Sequence, residues 1–331
     1  MISGESLARG QSEANSRPLV SIGVPTCDRS ALLRRALSSL MAQDCPNIEI
    51  VVSDNASTDD TAAVCADIAR RHPTIHYHRV PVRIPVFQNF RNALVLAHGD
   101  YFMWASDDDL WEPTFVSTLL SLLEPRADLV LLAAEAQYIL HDGTRLPFFP
   151  EGKAFYGPPP NSQFRRIVAT AHHGYGNLLY GLYRRKALID AAGNTALDAC
   201  TFLNELPLFV QVADRGGIQV HESVLFYKTT SLATYLQAAR EYGFVPRLET
   251  IARTPNARPT PLRRWGRNAG GILLYHVRAM IDVRRALWRT HGGPGSKIAL
   301  LLAFAVRLTA HLVKLAIVWP VDDVLSSRGR S

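Results

Sequence analysis

The chain has 331 residues, 47% of them hydrophobic and 20% charged, values that exclude wholesale disorder and leave room for one large domain or two medium ones. A net charge of +7 suits an anionic partner, such as nucleotide phosphate or anionic lipid. The basic residues fall beside aliphatic faces without interleaved aromatic platforms, so nucleic acid is not an expected partner.

Residues 1–17 are polar, lack an apolar h-region and read as a disordered tail rather than a signal peptide. Residues 19–24 read as a buried strand ending at Pro25. Leu32, Leu33, Ala36, Leu37 and Leu40 then recur at helical spacing. A second strand, 48–53, ends at Asp54, and Ser57 or Thr58 caps the next helix. Residues 75–80 form a third strand, 86–98 a helix, and 101–105 a fourth strand that runs into Asp107, Asp108 and Asp109. Strands alternating with helices imply right-handed crossovers and a mostly parallel sheet. Ligands of such sheets bind beyond the carboxyl ends of the strands, where Thr26, Asp54 and Asp107–Asp109 all fall.

The second half is less regular. Helices are expected over 113–124, 161–171, 185–192 and 203–215, with strands over 128–140 and 218–227. Three prolines within 253–262 mark a linker. Two long helical patterns follow, 268–289 and 296–318, separated by a Gly-rich turn. Cys27, Cys45, Cys65 and Cys200 have neither metal-ligand nor redox-pair spacing, and suit a reducing compartment.

Three adjacent aspartates after an apolar strand repel one another unless a cation or positive partner intervenes. Asp107 and Asp109, two apart, can both turn toward one divalent ion, and hard carboxylate oxygens suit Mg2+ or Mn2+. The plainer reading is a solvated turn; the placement in phase with strand-end Asp54 favours the ion.

Three blocks carry a resemblance. They are Val20-Ser21-Ile22-Gly23-Val24-Pro25-Thr26-Cys27-Asp28-Arg29, Ile50-Val51-Val52-Ser53-Asp54-Asn55-Ala56-Ser57-Thr58-Asp59, and Gly99 to Asp109. In this order and at these separations they resemble family 2 glycosyltransferases of the GT-A fold. The resemblance implies an α/β Rossmann-like sheet flanked by helices and transfer of sugar from a nucleotide-diphosphate donor. It places Thr26 and Arg29 near the nucleotide and makes Asp54 the acceptor for a base imide N–H. Asp107 and Asp109 become the DxD pair, Asp109 the likelier direct metal ligand, and Arg91 is a candidate for the diphosphate or a plain surface residue. The implied catalytic domain covers 18–252, with a nucleotide-sugar half, 18–115, and an acceptor half, 116–252.

Inverting transfer needs a base for the acceptor hydroxyl. The resemblance points to an acid opening the helix before the last strand, which makes Glu205 the candidate and Asp198 its competitor; a simple first-turn acid is the plainer alternative. Lys228 and Thr229 lie in a stretch where relatives often carry a basic residue near the diphosphate. His172, His173 and Asn177 read as acceptor-side contacts, since no third ligand stands at zinc spacing.

In 298–319, Arg307, His311 and Lys314 fall in one sector of an otherwise apolar helix. Such a stripe favours in-plane attachment to anionic lipid over spanning. The region 268–331 therefore reads as membrane-associating, with a hairpin packed on the catalytic domain or on a partner as the alternative. A cytoplasmic enzyme, peripheral at the inner face of the membrane, with a glycan or lipid-linked acceptor, would follow. The rival functions are a nucleotidyltransferase, whose Gly-rich first loop is lacking here, and a non-catalytic membrane-bound nucleotide-sugar binder.

Overall fold

A computed structural model describes residues 19–174, 176–193 and 205–241. The expected tail (1–17), the linker (253–267), the helical region (268–331) and Asp198 lie outside the described residues.

The first half alternates as the periodicity requires: β1 (Val20–Thr26), α1 (Ser30–Met41), β2 (Ile48–Asp54), α2 (Thr61–Arg71), β3 (Ile75–Arg79), α3 (Val86–Leu96) and β4 (Tyr101–Trp104). Next come β5 (Leu110–Trp111), α4 (Phe115–Leu123), β6 (Leu129–Ile139), α5 (Gln163–His173), a 3₁₀ turn at Gly176–Tyr180, and β7 (Leu182–Arg184). The described chain closes with α6 (Arg185–Ala191), α7 (Leu206–Arg215), β8 (Gly217–Thr229) and α8 (Leu232–Glu241).

The eight strands form one sheet in the order β3-β2-β1-β4-β7-β6-β8-β5. β1 pairs parallel with β2 and β4, β2 with β3, and β6 with β8. The short strands β5 and β7 pair antiparallel with their neighbours. Neither was legible in the sequence, because two or three residues are too few to show a period. The strand expected to stop at Pro25 continues to Thr26, in register with Asp54. Proline fits there because β1 ends at that point.

β1 is buried at all seven positions, as a parallel strand covered on both faces must be. Successive residues then serve opposite faces. Phe102 and Trp104 join one core cluster with Phe87 and Tyr183, whereas Tyr101 and Met103 join the other with Ile22, Leu33 and Leu37. Trp104 is fixed edge-on to Phe102, with ring centroids 5.0 Å apart, and donates its indole N–H to the Phe90 carbonyl at 2.9 Å. The residue that leads into the acidic triplet is thus anchored by packing and by a hydrogen bond. At the opposite pole, Gly99 lets β4 enter beside β1: a Cβ there would lie 2.6 Å from the Leu19 carbonyl oxygen.

Candidate active site

The loops leaving β1, β2 and β3 are cross-tied. The Asp28 N–H donates to Ser57 Oγ at 2.9 Å, and the Thr58 N–H donates to Asp28 Oδ1 at 2.6 Å. Asn55 exchanges two 2.8 Å hydrogen bonds with the backbone of Ile84. Asp28 and Ala56 both adopt positive φ, near 52° and 53°, conformations that this bonding holds against their intrinsic cost.

Asp54 sits at the centre of this platform with no exposed surface. Its Oδ1 accepts from the Ser57 N–H at 3.0 Å and the Ser57 hydroxyl at 2.5 Å, and its Oδ2 accepts from the Tyr77 hydroxyl at 2.6 Å. The sequence reading gave this carboxylate to a base imide. Here both oxygens brace the loop, and an incoming base would compete with Tyr77 and Ser57 for their lone pairs.

Thr26 and Arg29 converge on the acidic triplet. Thr26 donates its hydroxyl to Asp107 Oδ2 at 2.7 Å, while Arg29 reaches Asp107 Oδ1 at 3.1 Å and Asp108 Oδ2 at 2.9 Å. Burial pushes the Asp107 carboxyl up, against the opposing pull of Thr26 and Arg29. Arg91 lies on the exposed face of α3, in a groove of about 560 Å³ that Val80, Val82, Gln88 and Asn92 also line. Asn89, two residues earlier, faces inward and bonds Ser53. Two helical steps turn the side chain by roughly 200°, which accounts for the separation.

Asp109 faces the far side of the site. Because Leu110 pairs with Tyr227, antiparallel register sets Asp109 beside Lys228. Its Oδ1 accepts the Thr229 N–H at 2.8 Å. Burial pushes its carboxyl up to about 7, with Asp108 and Asp107 adding to the rise and Lys228 opposing it. The Lys228 ammonium is held over the Tyr180 ring, 4.7 Å from its centroid, and donates to Asn177 Oδ1 at 2.9 Å. Burial works against its charge, but Tyr180, Asp109, Glu151 and Glu205 outweigh burial and raise its pKa.

Glu205 precedes α7, and its side chain makes no capping hydrogen bond. The carboxylate instead turns toward the Gly176 turn, where a Cβ would lie 3.8 Å from Oε2. Burial pushes it up to about 7, with Lys228 pulling the other way. The structure therefore gathers Asp109 and Glu205 around Lys228, with Asp107 on the side of Thr26 and Arg29. Only a weak signal marked Lys228: it lies just after a predicted strand, in a stretch where the family resemblance often places a basic residue.

The donor chemistry fits a hard divalent cation. Three consecutive carboxylates, one buried and held far above its usual range, form a negative centre that one such ion relieves. Among the described residues no group of three or more His, Cys, Asp or Glu side chains is placed to hold a metal ion by itself. Asp107 and Asp109 are the residues that would hold such an ion, and it would supply positive charge to an anionic ligand.

The profile of glycosyl transferase family 2 matches residues 21–188, and the chain belongs to that family. It is 35% identical over 117 residues to the abequosyltransferase RfbV of Salmonella typhimurium, covering 34% of this chain and 35% of the relative. It is 32% identical over 111 residues to the GalNAc(5)-diNAcBac-PP-undecaprenol beta-1,3-glucosyltransferase of Campylobacter jejuni, covering 31% and 34%. The chain thus spans about a third of the length of these curated relatives. Among solved structures, S. aureus TarS 1-349 in complex with UDP-GlcNAc superposes with a TM-score of 0.58 at 16% identity, over 87% of this chain and 72% of that one. The mannosyltransferase PcManGT from Pyrobaculum calidifontis, in complex with GDP-Man and Mn2+, gives 0.52 over 96% and 81%. The likeness to these two structures is one of fold, which is GT-A.

Proposed function

We propose that the chain is an inverting glycosyltransferase that moves a sugar from a nucleotide-diphosphate donor to a hydroxyl acceptor. The observation that carries this reading is the convergence of the acidic triplet, the Lys228 ammonium and the uncapped Glu205 carboxylate at one edge of the sheet. Glu205 takes the proton of the acceptor hydroxyl as its oxygen attacks the anomeric carbon. The bond from that carbon to the diphosphate breaks on the opposite face, the configuration inverts and the nucleoside diphosphate departs. A carboxyl that burial raises to about 7 suits this step, because a general base works best when its pKa lies near the operating pH.

Asp109 and Asp107 would hold Mg2+ or Mn2+, which when bound would bridge the diphosphate and stabilise the charge left on the nucleotide. Thr26 and Arg29 orient that end of the donor, with Arg29 taking the diphosphate from one side and Lys228 from the other. The base lies on the platform around Asp54.

The acceptor in this reading is a glycan or lipid-linked sugar presented at a membrane surface, as in cell-surface polysaccharide assembly, with the enzyme peripheral at the inner face. Two features support it: the basic residues within 298–319, and the acceptor named for the Campylobacter relative, a polyprenol-linked glycan. Among the described residues no helix is long and apolar enough to cross a membrane.

The test is a panel of nucleotide sugars incubated with Mg2+, Mn2+ or chelator. Release of a nucleoside diphosphate together with a product of inverted configuration supports the assignment. Release of pyrophosphate would identify a nucleotidyltransferase, and tight binding without turnover would identify a binder.

A further inference from the structure

We propose that Glu151 is a positioning residue that acts through the amide of Asn177 to hold the Lys228 ammonium between Asp109 and Glu205; the inference rests on the transferase reading and deepens it.

The geometry is a buried chain of four groups. Tyr138 donates its hydroxyl to Glu151 Oε1 at 2.5 Å, Asn177 donates its amide N–H to Glu151 Oε2 at 2.6 Å, and Lys228 donates to Asn177 Oδ1 at 2.9 Å. Glu151 and Asn177 are 8% and 3% exposed, so water does not screen the chain. Its polarity is dictated by chemistry. An ammonium only donates, so it must meet the amide oxygen; an ionised carboxylate only accepts, so it must meet the amide NH2. Glu151 and Lys228 are therefore an ion pair bridged by an oriented amide. Such a pair keeps the cation charged inside the protein while the intervening amide holds it apart from its anion, free to face the site.

The parts come from separate elements. Tyr138 is the register partner of Lys228 across β6 and β8. Asn177 and Tyr180 belong to the Gly176–Tyr180 turn, whose Gly176 abuts Glu205. One turn thus sets the cation and the base relative to each other. Displacing a positioned charge by about 1 Å can cost on the order of 100-fold in rate.

The test uses Glu151→Gln, Asn177→Asp and the double variant in the full chain. Glu151→Gln removes the buried anion behind Lys228, and Asn177→Asp sets two carboxylates side by side. In the double variant a glutamine NH2 donates to the new carboxylate, which still accepts from Lys228, so the polarity is restored. Each single variant is expected to lower kcat by roughly 10- to 100-fold with a smaller change in donor KM, and the double variant to recover to within a few-fold of wild type. Crystal structures of the variants provide a readout independent of activity: Lys228 Nζ should leave its place in the single variants and return in the double. Should Glu151→Gln not fold, the double variant and Asn177→Asp decide the matter alone. Multiplicative losses in the double variant, or an unmoved Lys228 in the singles, overturn the proposal. If wild-type protein transfers no sugar from any donor, the transferase reading fails, while the position of Lys228 still decides this one.

Discussion

The Asp109 carboxylate accepts the backbone N–H of Thr229 at 2.8 Å across 120 residues of chain. This bond joins the segment after β4 to the exit of β8, and so joins the two halves of the catalytic edge. β5 makes the union rigid: Trp111 stacks on Phe226 at 6.2 Å with their planes 10° apart.

Replacing Asp109 with Asn keeps the size of the side chain and removes its charge. Turnover is expected to fall by roughly 100- to 1000-fold, the usual loss when one electrostatic stabiliser of a transition state is deleted. Chelation should abolish wild-type turnover, and added Mg2+ or Mn2+ should restore it. Steady-state assays with and without chelator check both; undiminished turnover in chelator would sink the metal assignment.

Glu205 gives a pH signature. As a base it works as the anion, and its carboxyl is held up to about 7 by burial. The rate should therefore rise with pH up to about 7 and level off above it, losing about tenfold for each unit below. Glu205→Gln should retain donor binding and lose transfer. A flat profile between pH 5 and 8 would be incompatible with this role.

Much of the donor half was legible because its signals are local. The strand ends carrying Thr26, Asp54 and the acidic triplet follow from hydrophobic runs that stop at polar residues. The link between Asp109 and Lys228 was not legible, since it depends on the register of Leu110–Trp111, a pair too short to display a period. Arg91 shows the converse limit. Its position in α3 was predictable, but which way it faced depended on which stripe of the helix the sheet would bury. Asn89 took the inward face because Ser53 and the Thr26 carbonyl offered its amide partners.

Tyr77→Phe tests the bracing of Asp54. The variant removes one donor from a wholly buried carboxylate and should lower stability by about 1.5–3 kcal/mol, the range for hydrogen bonds to charged groups. Urea denaturation measures this directly. An unchanged midpoint would mean that solvent or Arg79 replaces the hydroxyl at no cost.

Gly99→Ala tests the packing of β4 against β1. The new methyl would meet the Leu19 carbonyl oxygen and Ser21 Oγ, each 2.6 Å away, so backbone must shift. A loss of about 1–3 kcal/mol is expected, as for other overpacked sites. Because Gly99 is remote from the catalytic edge, kcat per folded molecule should hold.

The surface reading is checked by co-sedimentation of the full chain with vesicles. Anionic vesicles should pull the protein down at low salt, and neutral vesicles should do so much less. Equal recovery with both would leave the basic stripe of 298–319 to a protein contact instead.

The cross-tied loops around Asp28, Asn55 and Ser57 have a thermodynamic corollary. Their ordering entropy is lost once, when the chain folds, and not again each time a nucleotide arrives. If these loops seat the donor as proposed, its affinity reflects new contacts almost undiminished by rearrangement of the seat. In that arrangement, changes beyond the Gly176 turn would retune the choice of acceptor hydroxyl and leave donor binding as it is.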